Sequence, residues 1–371
     1  MSEFVPLCRE THFLKTEEQE ALYDDKGKFS IPLYKALLFI HIANAIKSGK
    51  LSLKHSYRYL PIEQYLIDKK VWAEQKDDLL KKANLENFTD YNKVIAGLKK
   101  ELNQAYCITN DNIINKNNKY VSFNKDGKAI VTTPKIDKEE SKLVTELFPK
   151  SRFYPILQIL SDINKVTNFT SYFEHYNLKY VKKRPSDEVF YSGIMGYGFD
   201  LGISRIAKIS KGINNSTLEN TVNWYFTLDN LYMINNLFSK YIDKLNVSNL
   251  FLKQQDKLHT ASDGQKFNVA VDSLNSNYSF KYHGKEKGVS VYSFNDEKSR
   301  SFYSTAFSSS EREAVHVIDG LLHNEEIMSN IHSTDTHGYT ETVFATTNML
   351  NIFFAPRIKN LKKQKLYSFK N

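Results

Sequence analysis

The chain has 371 residues, of which 41% are hydrophobic and 25% are charged, a composition typical of a folded globular protein. Its 51 lysines and arginines exceed its 42 aspartates and glutamates, and the formal net charge of +9 favours a partner rich in phosphate, although a lysine-rich surface alone accounts for the same number. The only two cysteines, Cys8 and Cys107, argue against a disulfide framework and a cysteine-type zinc site. No segment has the length of a membrane span or the pattern of a secretion signal, so we expect a cytoplasmic protein with no membrane partner.

The first 140 residues are predicted to be mainly helical. Apolar residues recur at helical spacing from Tyr34 to Ile42, and Gly49 follows where a helix-terminating glycine is expected. Arg58 then lies between two tyrosines, a cluster that predicts contact with bases or phosphates as readily as a packed surface loop.

The same region is predicted to end in a small β-structure. A second amphipathic helix is predicted over 91–106, and strand-like residues flank the turn sequence Asn124–Lys128, which predicts a β-hairpin near 119–133. A charged run follows at 135–142, and we place a domain boundary there.

Residues 145–255 form a second predicted helical region, rich in aromatic residues. A single amphipathic helix is predicted over 218–241. The closely spaced glycines between Gly193 and Gly202 resemble a phosphate-binding loop, but they lack its Gly-Lys-Ser/Thr ending, and close packing of helices accounts for them better. The basic triplet Lys182, Lys183 and Arg184 suits a DNA contact, although a solvated face is the commoner reason for such a triplet.

The last region, 256–371, is predicted to alternate strands and helices. Alternating residues predict a strand over 287–294, and 302–307 is predicted as its partner. The strongest helix signal follows, where Ser310 and Glu313 are spaced as a capping box before an apolar stripe that runs to Leu322.

Two aspartates in this region carry the predicted chemistry. Asp263 lies in the sequence Ser-Asp-Gly-Gln and Asp335 in Thr-Asp-Thr-His-Gly, each in a short polar segment next to a predicted strand. Turn or cap residues would have the same appearance. Two carboxylates on neighbouring strands would instead hold Mg²⁺, which prefers oxygen ligands and keeps water and phosphate in its shell. The element order, with Asp263 on the first strand and Asp335 on the fourth, is that of an RNase H-like core, in which those two strands are neighbours.

Several segments resemble the Tn3-family transposases in residue and in order. The segments that carry the resemblance are Ser262–Gln265, Lys287–Tyr292, Ile318–Leu322, Thr334–Thr340, Val343–Ala345 and Phe354–Ile358, with weaker similarity at 48–59 and 198–202. The resemblance covers most of the chain, and the segments around Asp263 and Asp335 are the most specific.

The resemblance implies a DDE/D-type transposase of a replicative transposon. Such a protein binds terminal inverted repeats and target DNA, nicks the DNA at its 3′ ends and carries out strand transfer. It implies Mg²⁺, or Mn²⁺ in its place, held by Asp263 and Asp335. It also makes Arg357 and Lys359 candidate phosphate contacts, although packing at the edge of the core accounts for Arg357 equally well. It also implies self-association at paired ends and a bacterial cytoplasm, with the protein on the nucleoid when bound to DNA.

The chain departs from the family pattern at its third acid. The family has a glutamate well beyond the second aspartate, whereas no Asp or Glu follows Glu341 here. We therefore expect mainly α N-terminal regions followed by an α/β RNase H-like core that is incomplete at its C-terminus, from a truncated or partial transposase that cleaves little by itself. Two alternatives stay open: a non-catalytic DNA-end-binding fragment that represses transposition, and an RNase H-like nuclease with another substrate.

Overall fold

The computed structural model describes residues 10–54, 56, 58–132, 153–177, 183–254, 256–324, 327–360, 363–365 and 367–369. By its internal contacts the chain divides into two units. The first unit comprises Met1–Thr89, Lys266–Ser290 and Ala306–Glu311, and the second comprises Asp90–Gln265, Val291–Thr305 and Arg312–Asn371. The predicted boundary at 135–142 lies outside the described residues, and the predicted division at 140 and 255 stays a prediction.

Helices make up most of the first unit. Its α-helices are α1 (Thr16–Ala21), α2 (Ile31–Lys47) and α3 (Lys69–Lys82), with 3₁₀ turns at Ile62–Gln64 and Glu86–Thr89. The predicted helix around Tyr34 is therefore confirmed as α2. Gly49 follows it with a φ of +73°, a left-handed conformation in which glycine carries no Cβ penalty. Leu22, Ile46 and Phe307 are among the buried residues of this unit.

The second unit begins with a long helix and the predicted hairpin. Helix α4 (Tyr91–Ile114) extends beyond the predicted helix at 91–106, and its first turn is capped by the side chain of Asp90. Strands β1 (Val121–Phe123) and β2 (Ala129–Val131) pair in antiparallel fashion and confirm the hairpin. Gly127, at the turn, has a φ of +72°.

A helical cluster follows in the second unit. It contains α5 (Ile156–Thr167), α6 (Asp187–Gly198), α7 (Ile203–Ile209), α8 (Asn215–Tyr225) and α9 (Leu228–Asp243), with 3₁₀ turns at Phe169–Tyr172 and Asn246–Phe251. The single helix predicted over 218–241 is wrong, because this segment forms two helices, α8 and α9, with an interruption between them. Thr227 is the reason, since its side-chain oxygen accepts a hydrogen bond from the Asn230 N–H and starts a new helix.

Stacked aromatic rings fill the interior of this helical cluster. The ring of Phe173 lies between those of Phe190 and Phe226, with centroid distances of 5.0 and 4.6 Å. Gly193 allows α6 to approach closely, because a Cβ there would lie 2.7 Å from the Phe226 ring. Gly196 faces Ile203 in the same way. Close helix packing, and not a phosphate loop, therefore accounts for these two glycines.

Six strands and three helices follow among the described residues of the last part of the chain. Strands β3 (His259–Asn268), β4 (Asn277–Tyr278), β5 (Lys287–Asp296), β6 (Ser301–Ser308), β7 (Ile331–Thr334) and β8 (Phe353–Phe354) are joined by the short helix α10 (Phe280–His283) and by α11 (Glu313–Leu322) and α12 (Glu341–Met349). In the second unit the order is β5-β3-β7-β8, with β6 beside β5. Strand β7 runs parallel to both β3 and β8. In the first unit, β4 pairs with the start of β5.

Helix α11 does not begin as predicted. Its N-cap residue is Arg312, which makes no side-chain capping bond, and the Ser310 hydroxyl lies 2.7 Å from that of Ser308. The predicted Ser310–Glu313 capping box is therefore wrong. Glu313, the first residue of the helix, is buried.

Polar contacts attach the helical cluster to the sheet within the second unit. The Asn235 amide donates to the carbonyl oxygen of Ser301 at 2.6 Å. Lys298 and Arg300, in the β5–β6 turn, form ion pairs with Asp243 at 2.7 and 3.0 Å. The buried Arg300 also pairs with the buried Asp296 at 2.6 Å. Because the buried charges of Arg300 and Asp296 are paired with each other, this contact avoids the cost of an isolated buried ion.

The structure combines helices with a mixed sheet, which agrees with the predicted α/β core. Strands β3 and β7 are parallel neighbours, as the element order predicted. None of the described helices is long and apolar enough to cross a membrane.

We predict that Phe190→Ala lowers the free energy of unfolding by about 3–5 kcal/mol, because it removes a fully buried ring from the stacked cluster. Phe199→Ala, at a ring that is 55% exposed, is the matched control and costs much less. Urea unfolding followed by circular dichroism measures both variants. Equal losses would show that the stacked cluster does not stabilise the fold as described.

Candidate functional site

The strand register brings the two predicted aspartates side by side. Parallel strands β3 and β7 pair Thr260 with His332 and Ser262 with Thr334. Asp263 and Asp335 each follow the last of these pairs by one residue. Neighbouring strands are about 4.8 Å apart, so the backbones at Asp263 and Asp335 run side by side at this point of the sheet.

Asp263 is exposed, whereas the neighbouring Ser262 is buried. This alternation is the ordinary consequence of strand geometry, in which successive side chains point to opposite faces. One oxygen of the Asp263 carboxylate accepts a hydrogen bond from the N–H of Gly264 at 2.9 Å.

Asp335 organises the turn that follows β7. Its Oδ1 accepts hydrogen bonds from the N–H groups of His337 and Gly338 at 2.8 and 3.2 Å, and its Oδ2 lies 2.9 Å from His337 Nδ1. Partial burial raises the pKa of Asp335. The hydrogen bonds from His337 and Gly338, together with the charge of His337, outweigh that effect, so the pKa lies below its ordinary value. Asp335 is therefore a carboxylate at neutral pH.

Glu313 is the residue of this site that the sequence did not predict. Its side chain is buried, with 7% of the residue exposed, and a Cβ on Gly264 would lie 2.8–3.1 Å from the atoms of its carboxyl group. Burial raises the pKa of the nearby Tyr292, the hydrogen bond from Ser262 lowers it, and the charges of Glu313, Asp335 and Asp263 raise it. The charges of all three carboxyl groups therefore act on the Tyr292 hydroxyl.

A signal for Glu313 was present in the sequence. Glu313 occupies the same helical stripe as Val317 and Leu321, which are buried. An acidic residue on an apolar stripe is unusual and indicates a polar environment at that point. The predicted capping box of Ser310 and Glu313 gave the glutamate a different role, so its burial was not predicted.

The described part of the chain contains no group of three or more histidine, cysteine, aspartate or glutamate side chains arranged to hold a metal ion. Asp263 and Asp335 are thus a pair of oxygen donors on adjacent strands, with Glu313 buried beside the backbone that follows Asp263.

Two of the predicted DNA-binding arginines make internal contacts. In the first unit, Arg58 donates to the carbonyl oxygen of Ala306 at 3.1 Å and forms an ion pair with Glu311. In the second unit, Arg184 lies 4.7 Å above the Phe190 ring, donates to the Thr170 carbonyl oxygen and pairs with Asp187 at 3.6 Å. Both side chains therefore have a structural role, and their contact with DNA stays a prediction.

Of the other predicted contacts, Lys182 lies outside the described residues, and Lys183 is exposed. Arg357 and Lys359 are exposed as well. The backbone N–H of Arg357 donates to the carbonyl oxygen of Thr334 at 2.9 Å, so the segment after β8 runs beside the turn that carries Asp335.

We predict that His332 makes stability fall in acid. Its burial, helped by the charge of His259, lowers the pKa of His332 from 6.5 to about 3. The unfolded chain therefore binds a proton that the folded chain does not between these two pKa values, so stability decreases as the pH falls below 6.5. The loss from this group is about 2 kcal/mol between about pH 6 and about pH 4.5. Urea unfolding at several pH values should give a steeper pH dependence for the unmodified chain than for His332→Gln, and equal slopes would contradict the prediction.

Comparison with known proteins gives a consistent result. A family model described as the Tn3 transposase DDE domain matches residues 158–371. The transposase for transposon Tn1546 from Enterococcus faecium is 25% identical over 369 residues, and the transposase for transposon Tn2501 from Escherichia coli is 28% identical over 374 residues. Each alignment covers 98% of this chain and 36% of the relative, so the chain spans about a third of the length of these relatives. The family model covers more than half of the residues, and the chain belongs to the Tn3 transposase family.

Proposed function

We propose that this chain takes part in metal-dependent phosphoryl transfer on DNA, with Asp263 and Asp335 as the protein ligands of Mg²⁺ or Mn²⁺. The observation that carries the proposal is the parallel register of β3 and β7, which aligns the two aspartates in a member of a transposase family. The substrates of the proposed reaction are the terminal inverted repeats of a transposon and its target DNA, on which the protein nicks 3′ ends and transfers strands.

The donor set suits the proposed ion. Both ligands are carboxylates, which are the donors that Mg²⁺ prefers. Two protein carboxylates leave the rest of an octahedral shell to water and to the phosphate oxygens of a substrate. The hydrogen bonds from His337 and Gly338 keep Asp335 ionised and hold its carboxylate in place. Such outer contacts are a regular support of ligating carboxylates.

When bound, the metal would supply Lewis-acid polarisation of the phosphate and a water of lowered pKa. Asp263 and Asp335 would position a phosphodiester at the end of the sheet, and the buried Glu313 would add negative charge behind them. The exposed Lys183, Arg357 and Lys359, in a chain with a net charge of +9, would contact the DNA backbone.

The RNase H-like interpretation of the sheet supports the same proposal. In the second unit the first long strand carries Asp263, two further strands and helix α11 follow, and β7 returns beside the first strand and ends at Asp335.

We predict that Asp263→Asn and Asp335→Asn each weaken Mn²⁺ binding at least about tenfold, because each removes a charged ligand without changing its shape. Mn²⁺ titration followed by electron paramagnetic resonance measures the affinity. Asp229→Asn, at an exposed aspartate in the first turn of α9, is the control and leaves the affinity unchanged.

The Asp263→Asn variant also distinguishes metal-dependent cleavage from the alternative, a non-catalytic DNA-binding protein that represses transposition. Mg²⁺-dependent nicking of labelled inverted-repeat DNA that Asp263→Asn abolishes would show that these residues catalyse cleavage. End-specific DNA binding that needs no metal and survives Asp263→Asn would favour a repressing DNA-binding protein. Mn²⁺ affinity that neither substitution changes would exclude the proposed metal site.

A further inference from the structure

A fully buried histidine lies in the sheet beneath the two aspartates. His332 is 0% exposed, and its ring stacks between those of Phe294 and Phe354 at centroid distances of 5.6 and 6.2 Å. Its Nδ1 lies 2.8 Å from the Thr260 hydroxyl, and its Nε2 lies 2.9 Å from the Ser262 hydroxyl. The imidazole of β7 thus contacts two residues of β3 that are two positions apart on one face.

Both ring nitrogens of His332 have hydroxyl partners. The Ser262 hydroxyl also contacts the Tyr292 hydroxyl at 3.0 Å, and the Thr260 hydroxyl also lies 2.6 Å from that of Ser329 and 3.3 Å from the Ile331 carbonyl oxygen. A neutral imidazole has one N–H donor and one acceptor nitrogen, and it can pair with two such hydroxyls in either tautomer. A neutral ring agrees with the lowered pKa of His332.

These contacts exist in only one register of the two strands. A shift of β3 by one residue turns the hydroxyls to the opposite face of the sheet. A shift by two residues in one direction replaces a hydroxyl with Gly264, and a shift by two in the other replaces one with Leu258. Neither residue offers a side-chain hydrogen bond, so a buried ring nitrogen would be left without a partner, which is unfavourable.

The same chain of contacts reaches the turn that carries Asp335. A Cβ on Gly338 would lie 2.6 Å from Thr334 Cβ and 2.9 Å from the Tyr292 hydroxyl oxygen. The backbone of this turn therefore rests on Tyr292, which in turn accepts the hydrogen bond from Ser262. The side chains of His332, Thr260, Ser262 and Tyr292 thus form one continuous polar layer, which reaches the turn that carries Asp335.

We propose that His332 is a positioning residue, which joins β3 to β7 through Thr260 and Ser262 and thereby sets the register that places Asp263 beside Asp335. The proposal rests on the proposed function, because the register matters for the reaction only if the aspartates share a metal ion. It adds a role for three buried side chains that touch neither the metal nor the DNA.

The test removes the hydroxyls and leaves the volume of the core almost unchanged. Thr260→Val with Ser262→Ala is the test variant, and Thr221→Val with Ser192→Ala is the matched control, since those hydroxyls are also buried but bond within helices. Thr260→Ser keeps the hydroxyl and is the conservative variant. Mn²⁺ titration by electron paramagnetic resonance reports on the site, and ¹⁵N NMR of labelled histidine reports on the protonated nitrogen of His332.

A metal-free measurement of register completes the design. Asp263→Cys with Asp335→Cys, in a background of Cys8→Ser and Cys107→Ser, places two thiols on adjacent strands, where the expected Cα separation lies within the range of a disulfide. The rate of disulfide formation is compared with and without Thr260→Val and Ser262→Ala.

We expect the test variant to lose about 10- to 100-fold in Mn²⁺ affinity, the usual effect of removing a support of the ligands, whereas the control variant and Thr260→Ser keep most of it. The NMR spectrum should show a proton on only one ring nitrogen, and the test variant should slow disulfide formation. An unchanged rate of disulfide formation would overturn the role of His332. Absence of Mn²⁺ binding by the unmodified chain would instead overturn the proposed function, and the disulfide result would still decide whether His332 sets the register.

Discussion

The parallel pairing of β3 with β7 is the interaction on which the site depends. It links residues far apart in sequence, and the side chains of His332, Thr260 and Ser262 reinforce it from below the sheet. Backbone hydrogen bonds alone permit several registers, because every residue offers the same donor and acceptor. The buried side-chain contacts distinguish among these registers, and they tie the placement of Asp263 and Asp335 to the packing of the sheet.

The polar layer of His332, Thr260, Ser262 and Tyr292 restricts how the strands can be arranged. Buried hydroxyl and imidazole groups destabilise a fold unless each is paired, so this layer supports only arrangements in which its contacts are complete. Glu313 adds a buried carboxyl group at the start of α11, against the backbone of Gly264. A Cβ on the glycine after Asp263 would meet that carboxyl group, so a larger residue there would displace the Glu313 side chain. The turn at Gly338 is constrained in the same way by Thr334 and Tyr292.

Local patterns predicted much of the fold. The end of α2 at Gly49, the hairpin around Gly127 and the strand that ends before Asp335 depend on neighbouring residues, and all three are confirmed. The break before α9 was missed because a single capping side chain, that of Thr227, starts the new helix. The predicted start of α11 was wrong because its N-cap residue, Arg312, makes no side-chain capping bond. The contact of Glu313 with Gly264 and the pairing of His332 could not be predicted, since both arise from strands and helices that meet only in the folded chain. The DNA contacts of Arg58, Lys183, Arg357 and Lys359 stay predictions.

The most direct test of the central claim is a crystal structure of the chain soaked in Mn²⁺, with anomalous scattering used to locate the ion. Our account predicts an anomalous peak between the carboxylates of Asp263 and Asp335, at the bond lengths of oxygen ligands. A peak elsewhere in the protein, with none at this pair under saturating Mn²⁺, would contradict the account.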